Sequence, residues 1–278
     1  MCLTASASNA MRPPNPFLIL QRASMESSTR LTGRQTISRI DTRSPIRRQS
    51  RHVSSVMQSD QHLQIGRGVS FRLMPLGGSV TQGVGSSTRT GYRRPLLRML
   101  QDHGFDVQMV GSRKTGSMHN KDHEGWPGLR IDEIDKKARL STPRLLPHVF
   151  AINAGSNDCL QSFKLGEAGD RLGNMLEYLW QASPHSTMLL STLIVSADKK
   201  TNSNVMRVND QIRALAKQKA NEHRKLVLVD MNCEAGPEVG CLVDGVHPND
   251  EGYEKMAKLW VNGTLEALQK GFLQKAIK

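Results

Sequence analysis

From Phe71 onward, short apolar runs alternate with segments whose apolar residues recur at helical spacing. Five runs are apolar at their centres and bounded by Gly, Asn, Asp or Ser, a pattern typical of buried parallel strands. They span residues 71–76, 106–110, 148–153, 187–191 and 225–230. Helical spacing covers residues 92–103, 131–139, 168–182, 204–223 and 251–268. The alternation predicts an α/β protein: a three-layer α/β/α sandwich around a five-stranded parallel sheet of flavodoxin-like order.

The first 68 residues differ in composition from the rest of the chain. They contain ten Arg, no Lys and three acidic residues, so they carry +7 of the net charge of +13. They are also rich in Ser, Thr and Pro, and such a segment buries too little apolar surface to offset the entropy of ordering. We therefore predict a disordered tail over residues 1–68 and one folded domain over residues 69–278. Because the tail holds much of the charge, the domain is not expected to bind nucleic acid.

No apolar stretch is long enough to predict a membrane span or the core of a secretory signal. The Arg- and Ser-rich, acid-poor tail resembles an organellar transit peptide. A start codon assigned too far upstream would give the same composition. The sequence therefore leaves the compartment open.

The cysteines, at positions 2, 159, 233 and 241, lack the spacing of a zinc site. Cys233 and Cys241 flank one loop, where they form a disulfide in an oxidising compartment or two free thiols in a reducing one. A second group of ligand-type side chains lies between residues 119 and 124, as His119, Asp122, His123 and Glu124. Its spacing also fits no zinc site, and a solvated polar loop is expected there. No metal or cofactor is predicted.

Gly77, Gly78 and Ser79 follow the first predicted strand directly. Two glycines permit a sharp turn at the carboxyl end of a strand, and that turn would hold the Ser79 hydroxyl in the crevice where α/β sheets bind ligands. The pattern predicts a nucleophile. An ordinary Gly-Gly-Ser loop is the alternative interpretation.

Two further motifs follow neighbouring strands. The segment Gly-Ser-Asn-Asp at residues 155–158 ends the third strand, and the Asn157 amide can donate to a developing oxyanion. An Asx-turn is the alternative. The segment His-Glu-Gly-Trp-Pro-Gly at residues 123–128 follows the second strand, where the Gly128 N–H can bind an anion. Its alternative is a turn in which Trp126 covers the core.

The fifth strand leads through a loop into Asp244 and His247, three residues apart. Pro248 favours an extended backbone at His247, and Asn249 or Asp250 can cap the following helix. Such a turn can place the carboxylate against imidazole Nδ1 and leave Nε2 free as a general base. The alternative is a capped helix beginning with an exposed His.

All four motifs follow the carboxyl ends of predicted strands, so they are expected to meet at one edge of the sheet. Groups of these types in one crevice predict an enzyme. Together the motifs resemble the SGNH (GDSL-like) hydrolase superfamily, named for Ser, Gly, Asn and His in four separate blocks. The resemblance covers about residues 70–270. More narrowly, residues 74–77, 123–128 and 245–253 are similar to carbohydrate esterase family three, which resembles the acetyl xylan esterases.

The resemblance implies a serine esterase that hydrolyses short-chain, acetyl esters on carbohydrate through an acyl-enzyme. Ser79 would be the nucleophile, His247 the general base and Asp244 the residue that orients the imidazole. The backbone N–H groups of Ser79 and Gly128, with the Asn157 amide, would form the oxyanion hole. The implied partner is a small-molecule ester or an acetylated polysaccharide.

One position departs from the family pattern. The family usually has Asp directly before the nucleophile, and here that position is Gly78. Since the triad carboxylate is Asp244, the change bears on how firmly the turn is held and on the level of activity. Family members of this kind are also usually secreted.

Two other functions fit the same motifs. A lipid or thioester acyl hydrolase of the superfamily would need an apolar groove, and residues 192–204 and 236–243 are too polar to predict one. A catalytically impaired carbohydrate-binding relative would carry Gly78 as a mark of a lost site. Turnover of p-nitrophenyl acetate separates enzyme from binding protein.

Overall fold

The structure, a computed structural model, describes residues 64–274. The predicted tail therefore lies outside the described residues, apart from its last five. These five form a turn beside the domain, in which the Gly66 N–H donates to the carbonyl of His103 at 2.9 Å.

Seven strands form one sheet within the described residues. They are β1 (Ser70–Gly77), β2 (Asp106–Met109), β3 (Arg113–Lys114), β4 (Asp122–Gly125), β5 (Val149–Asn153), β6 (Thr187–Ser191) and β7 (Leu226–Val229). The five predicted strands are parallel neighbours in the order β2-β1-β5-β6-β7. This is the flavodoxin-like order, with a crevice where the strand sequence reverses at β1.

The two short strands β3 and β4 were not predicted, and they extend the sheet beyond five strands. β4 pairs in parallel with the last residues of β1, opposite Leu76 and Gly77, and β3 pairs antiparallel with β4. Periodicity cannot detect β4 because its residues, Asp-His-Glu-Gly, include no apolar side chain. Its buried side chains are His123 and Glu124, which are held by hydrogen bonds described below.

The helices cover both faces of the sheet. They are α1 (Ser79–Gln82), α2 (Arg93–Asp102), α3 (Ile131–Leu145), α4 (Ser156–Leu160), α5 (Ala168–Ala182), α6 (Lys199–Asn221) and α7 (Asp250–Gln269). Helices α3, α5 and α6 share one core with Phe150 and Ile152 of β5. Helices α2 and α7 share the other with Val149 and Ala151. Alternate residues of one strand thus enter opposite cores, which gives the predicted three layers.

Candidate active site

Ser79 begins the short helix α1, directly after β1, and is partly exposed. Neighbouring helices fix this turn from behind. The Arg93 guanidinium of α2 donates to the carbonyls of Thr81 and Gln82 at 3.1 and 2.8 Å, and the Tyr253 hydroxyl of α7 donates to the Val84 carbonyl. The nucleophile turn is therefore clamped by side chains on both of its flanking helices.

The three predicted triad side chains lie in one hydrogen-bonded series. Ser79 Oγ is 2.8 Å from His247 Nε2, although the residues are 168 positions apart. His247 Nδ1 is 2.7 Å from Asp244 Oδ2. The other carboxylate oxygen of Asp244 accepts the backbone N–H groups of His247 and Val246 at 2.8 and 3.0 Å. The carboxylate thus orients the imidazole and the backbone that carries it.

These bonds also set the charge of Asp244. Partial burial acts to raise the pKa of its carboxyl, but the hydrogen bonds from the His247 imidazole and from backbone N–H groups outweigh burial and hold that pKa below its ordinary value. The His247 side chain is 16% exposed and that of Asp244 is 49% exposed. Asp244 and His247 therefore lie at the protein surface, and the ionised carboxylate of Asp244 contacts the Nδ1 side of the imidazole.

Close approach of two loops brings His247 to Ser79. Gly85 has φ +93°, and a Cβ there would lie 2.6 Å from the Pro248 carbonyl oxygen and 3.0 Å from His247 Cβ. The His247 loop is fixed in turn to α7, because Asn249 Oδ1 caps the helix by accepting the Gly252 N–H at 2.8 Å. Only glycine at position 85 allows the two loops this contact.

Two of the predicted oxyanion donors, Ser79 and Asn157, line one small cavity. The Ser79 N–H is the first of α1, and the first N–H groups of a helix have no acceptor inside it. Gly128 has φ +78° and open space within 4 Å of the position of a Cβ. Asn157, at the start of α4, donates one amide hydrogen to the Leu129 carbonyl at 3.0 Å. Its second amide hydrogen is available for a substrate oxygen.

A buried carboxylate that the motif analysis did not assign joins the two oxyanion loops. Asp158 is fully buried. It accepts the Ile131 N–H, the first of α3, at 3.0 Å, and the Arg171 guanidinium at 2.7 Å. Burial raises the pKa of Asp158 even though Arg171 and the Ile131 N–H act to lower it. Asp158 thus ties α4, which bears Asn157, to the start of α3, which follows the loop that bears Gly128.

Arg93 is a second residue that sequence reasoning missed. It is completely buried, and besides α1 it donates to the carbonyls of Arg89, Thr115 and Lys121 at 3.1–3.2 Å. Burial lowers its pKa to about 10. Arg93 lies in a Tyr-Arg-Arg run that is typical of a surface helix. The sequence pattern therefore does not distinguish this buried arginine from exposed ones.

Two of the four ligand-type residues between 119 and 124, His123 and Glu124, have structural partners inside the protein, whereas His119 is exposed. His123 is buried; its Nδ1 accepts the Gly125 N–H at 2.9 Å and its Nε2 lies 3.0 Å from Thr115 Oγ1. Burial lowers the pKa of His123 to about 3. Glu124 is buried too and accepts the Trp126 indole N–H at 2.9 Å. The expectation of a solvated loop is wrong for these two residues, because hydrogen bonds satisfy them inside the protein.

Gly78 and the cysteines complete the predicted set. Gly78 has φ −95°, and a Cβ there would lie 3.5 Å from Asn157 Nδ2, an ordinary contact. Position 78 therefore has room for a side chain. Cys233 and Cys241 are both free thiols, so of the two alternatives the structure has the unbridged one.

Within residues 64–274, no group of three or more His, Cys, Asp or Glu side chains is placed to hold a metal ion. In the same range, no helix combines the length and the apolarity that crossing a membrane requires.

The fold and this geometry define the class of protein. Residues 76–255 match the GDSL-like lipase/acylhydrolase family, and the chain belongs to that family. The match confirms the predicted resemblance to the SGNH (GDSL-like) hydrolases and the α/β fold that it implies.

The chain is also similar to particular esterases. The chain is 26% identical over 245 residues to a multidomain esterase of Ruminococcus flavefaciens; the match covers 77% of this chain and 31% of that protein. A family 3 carbohydrate esterase of Clostridium thermocellum is 27% identical, with a TM-score of 0.65 over 72% of this chain and 98% of that one. One from Talaromyces cellulolyticus, 20% identical, shares the fold with a TM-score of 0.62, again over 72% and 98%.

Proposed function

We propose that this chain is a serine esterase that removes acetyl groups from carbohydrate. The observation that carries the proposal is the hydrogen-bonded series from Ser79 Oγ through His247 to Asp244, with distances of 2.8 and 2.7 Å. Ester hydrolysis is the chemistry that a hydroxyl, an imidazole and a carboxylate in this order perform in unrelated folds. The esterases among its relatives support the same reaction class.

In the proposed mechanism, His247 Nε2 takes the hydroxyl proton of Ser79 as Ser79 Oγ attacks the ester carbonyl carbon. The carbonyl oxygen becomes an oxyanion held by the N–H groups of Ser79 and Gly128 and by the Asn157 amide. The imidazolium then gives its proton to the sugar oxygen as the bond between that oxygen and the acetyl carbon breaks, so the sugar leaves as an alcohol and an acetyl-enzyme remains. Water attacks that ester with His247 as base, acetate leaves, and Ser79 regains its proton. Asp244 stays ionised and stabilises the imidazolium throughout.

The space beside the nucleophile favours a short acyl group. A cavity of about 10 Å³ adjoins Ser79 and is lined by Leu129, Ile134 and Gly155, among others. A cavity of this size is just large enough to hold one water molecule, so it suits a methyl group better than a long chain. A longer acyl chain would instead lie on the protein surface, where Val243, next to Asp244, is 56% exposed.

The test is a series of p-nitrophenyl esters measured beside acetylated xylan. We expect kcat/KM to fall about tenfold or more from acetyl to octanoyl, and acetate to be released from the polymer. A preference for octanoyl would favour the lipid or thioester acyl hydrolase. Failure to turn over any ester, in a sample that is folded by circular dichroism, would favour the impaired carbohydrate-binding relative.

A further inference from the structure

A group of basic residues belongs to the segments around the turn that bears Ser79. It consists of Arg89, Arg113, Lys114, Lys121 and Lys137, which we call the basic rim. Arg89, Lys114 and Lys121 are exposed, and Arg113 and Lys137 are half-buried. Within residues 64–274 the only ion pair of the rim joins Lys114 to Asp122 at 3.6 Å.

The backbone places the rim beside α1. The Arg93 guanidinium donates to the carbonyls of Arg89 and Lys121 and also to that of Gln82, the last residue of α1. The loop between β3 and β4 packs on the loop after α1, since the Ser117 N–H donates to the Thr88 carbonyl at 3.0 Å. The backbones of Arg89 and Lys121 therefore lie next to the end of α1.

The other two cations of the rim lie over Trp126. The Arg113 guanidinium carbon and Lys137 Nζ are each 4.5 Å from the centre of its ring. Trp126 adjoins the nucleophile turn, because its N–H donates to the Gly77 carbonyl at 2.8 Å. Its backbone is also close to Gly78. Arg113 and Lys137 therefore lie over the side chain of a residue whose backbone is bonded to Gly77, two positions before Ser79.

The described surface offers few free aromatic faces for stacking against an uncharged sugar polymer. Neutral sugar rings bind largely by stacking on exposed aromatic faces, and none of the exposed large apolar residues in 64–274 is aromatic. Cations lie over the rings of both Trp126 and Phe163, the latter with the Arg130 guanidinium carbon 4.0 Å from its centre. Base stacking by single-stranded nucleic acid would need the same free faces. The basic side chains of the rim are therefore the groups available to bind a substrate, and they favour one with negative charge.

We infer that the polymer bound at this site is an acidic glycan, one whose sugars carry carboxylates beside the acetyl esters. The inference rests on the proposed esterase function and adds the substrate class. Carboxylates of neighbouring sugars would pair with the basic rim while the acetyl group enters the cavity beside Ser79. Clustered charge of one sign at a cleft raises the local concentration of an oppositely charged substrate, and salt screens the effect.

The first measurement is binding, by calorimetry, of deacetylated ligands that cannot turn over. The ligands are an oligogalacturonate, a neutral xylo-oligosaccharide and a single-stranded DNA of equal charge to the oligogalacturonate. The full-length chain is used for every variant, so the charge of the Arg-rich residues 1–68 is the same in each protein, and differences between variants report the domain. We expect the oligogalacturonate to bind more tightly than the xylo-oligosaccharide, and about tenfold more weakly as salt rises from about 20 to 200 mM.

Two double variants with the same change of charge locate the site. Lys114→Gln with Lys121→Gln removes two exposed charges of the basic rim. Lys217→Gln with Lys258→Gln removes two exposed charges from α6 and α7. We expect the rim variant to weaken oligogalacturonate binding about tenfold and the control variant to leave it unchanged. A third variant, Arg113→Gln, tests the charge over Trp126.

Three results would overturn the inference: equal binding of acidic and neutral oligosaccharides, equal loss in the rim and control variants, or tighter binding of DNA through the same rim. Turnover of p-nitrophenyl acetate, measured on the same samples, reports the ester chemistry separately. Loss of that turnover with acidic binding intact would reject the proposed esterase and keep the acidic-glycan site.

Discussion

At the scale of single residues, the candidate site separates groups that react from groups that hold them. Ser79, His247 and Asp244 form one series of hydrogen bonds, whereas Arg93 donates to the backbone carbonyls of α1. Asn157 belongs to both groups, because one amide hydrogen binds Leu129 and the other is free for substrate. Substitutions at these residues therefore have different expected signatures.

Asn157→Ala tests the oxyanion assignment. Loss of one oxyanion donor should lower kcat about 10²–10³-fold with KM little changed. Loss of the bond to the Leu129 carbonyl should cost about 1 kcal/mol of the free energy of unfolding. Rate and melting temperature are measured on one sample. A folded variant with an unchanged rate and a lowered melting temperature would make Asn157 a structural residue only.

His123 gives a prediction for stability against pH. Its pKa is about 3 in the folded protein, lowered chiefly by burial, against about 6.5 for an unperturbed imidazole. Below about pH 6.5 the unfolded chain takes up a proton that the folded protein does not. Stability is therefore lost as the pH falls from about 6.5 toward 3, by up to about 1.4 kcal/mol per pH unit from this one group.

Urea unfolding of the wild type and of His123→Asn at several pH values isolates that contribution. Asn can still accept the Gly125 N–H but does not titrate. The stability advantage of the wild type should shrink as the pH falls from 6.5. An advantage that stays constant down to about pH 4 would show that His123 is not held neutral by the fold.

At the scale of elements, the apolar runs in the sequence predicted the five apolar strands well, but elements made of polar residues, such as β4 and the first turn of α6, were missed. The run at 187–191 coincides with β6, and the other four predicted strands differ from the observed ones by one residue at one or both ends. Helix α6 begins at Lys199, before the predicted residue 204, because Asp198 caps it by accepting the Thr201 N–H at 2.7 Å. The polar first turn has no apolar period to detect.

Helix α3 continues past a proline because another helix supplies a hydrogen bond to the carbonyl that the proline leaves free. The pattern predicts an end at residue 139, ahead of Pro143, but α3 continues to Leu145. Proline in a helix frees the carbonyl four residues earlier, which here is that of Arg139. The Tyr178 hydroxyl of α5 donates to that carbonyl at 3.2 Å. A partner supplied by another helix is not visible in the local sequence.

The motifs led to the candidate reacting groups because Gly, Ser, Asn, Asp and His follow strand ends in the sequence, and the catalytic roles of these residues stay predictions. The supporting residues Arg93, Asp158 and Glu124 could not be assigned in the same way. Their roles depend on which side chains and backbone groups the fold brings to them, such as Arg171 and Ile131 for Asp158. Residue type alone does not encode these contacts.

The junction of α3 with α4 gives a prediction at this scale. Asp158→Ala leaves the Arg171 side chain, which is 10% exposed, without its buried partner, and this should cost about 3–5 kcal/mol of unfolding free energy. Asp135→Ala, which breaks the i,i+4 pair of α3 with Arg139, should cost less than about 1 kcal/mol. Equal losses in denaturant unfolding would show that Asp158 does not hold the junction.

At the scale of the whole molecule, the sheet and its two helical layers are complete within residues 64–274. The predicted boundary at residue 68 remains a prediction, since most of the tail lies outside the described residues. Its composition, with ten Arg and three acidic residues, is unsuited to forming a core.

Deletion of residues 1–63 tests that boundary. The shortened chain keeps the Gly66 N–H bond to His103. It should unfold at the same temperature as the full chain and hydrolyse p-nitrophenyl acetate at the same rate, because the core and the candidate site are retained. Calorimetry and the ester assay measure both. Insoluble protein, or a melting temperature lowered by several degrees, would place part of the folded unit within residues 1–63.

The central claim is that Ser79 is a nucleophile activated by His247, and its most direct test is covalent labelling. The protein is incubated with the organophosphate diethyl p-nitrophenyl phosphate, and the intact mass and a peptide digest are measured. The account predicts one diethylphosphoryl group, on Ser79, none in Ser79→Ala, and greatly slowed labelling in His247→Ala. Labelling of a different residue, or ester hydrolysis that persists in Ser79→Ala at the wild-type rate, would contradict it.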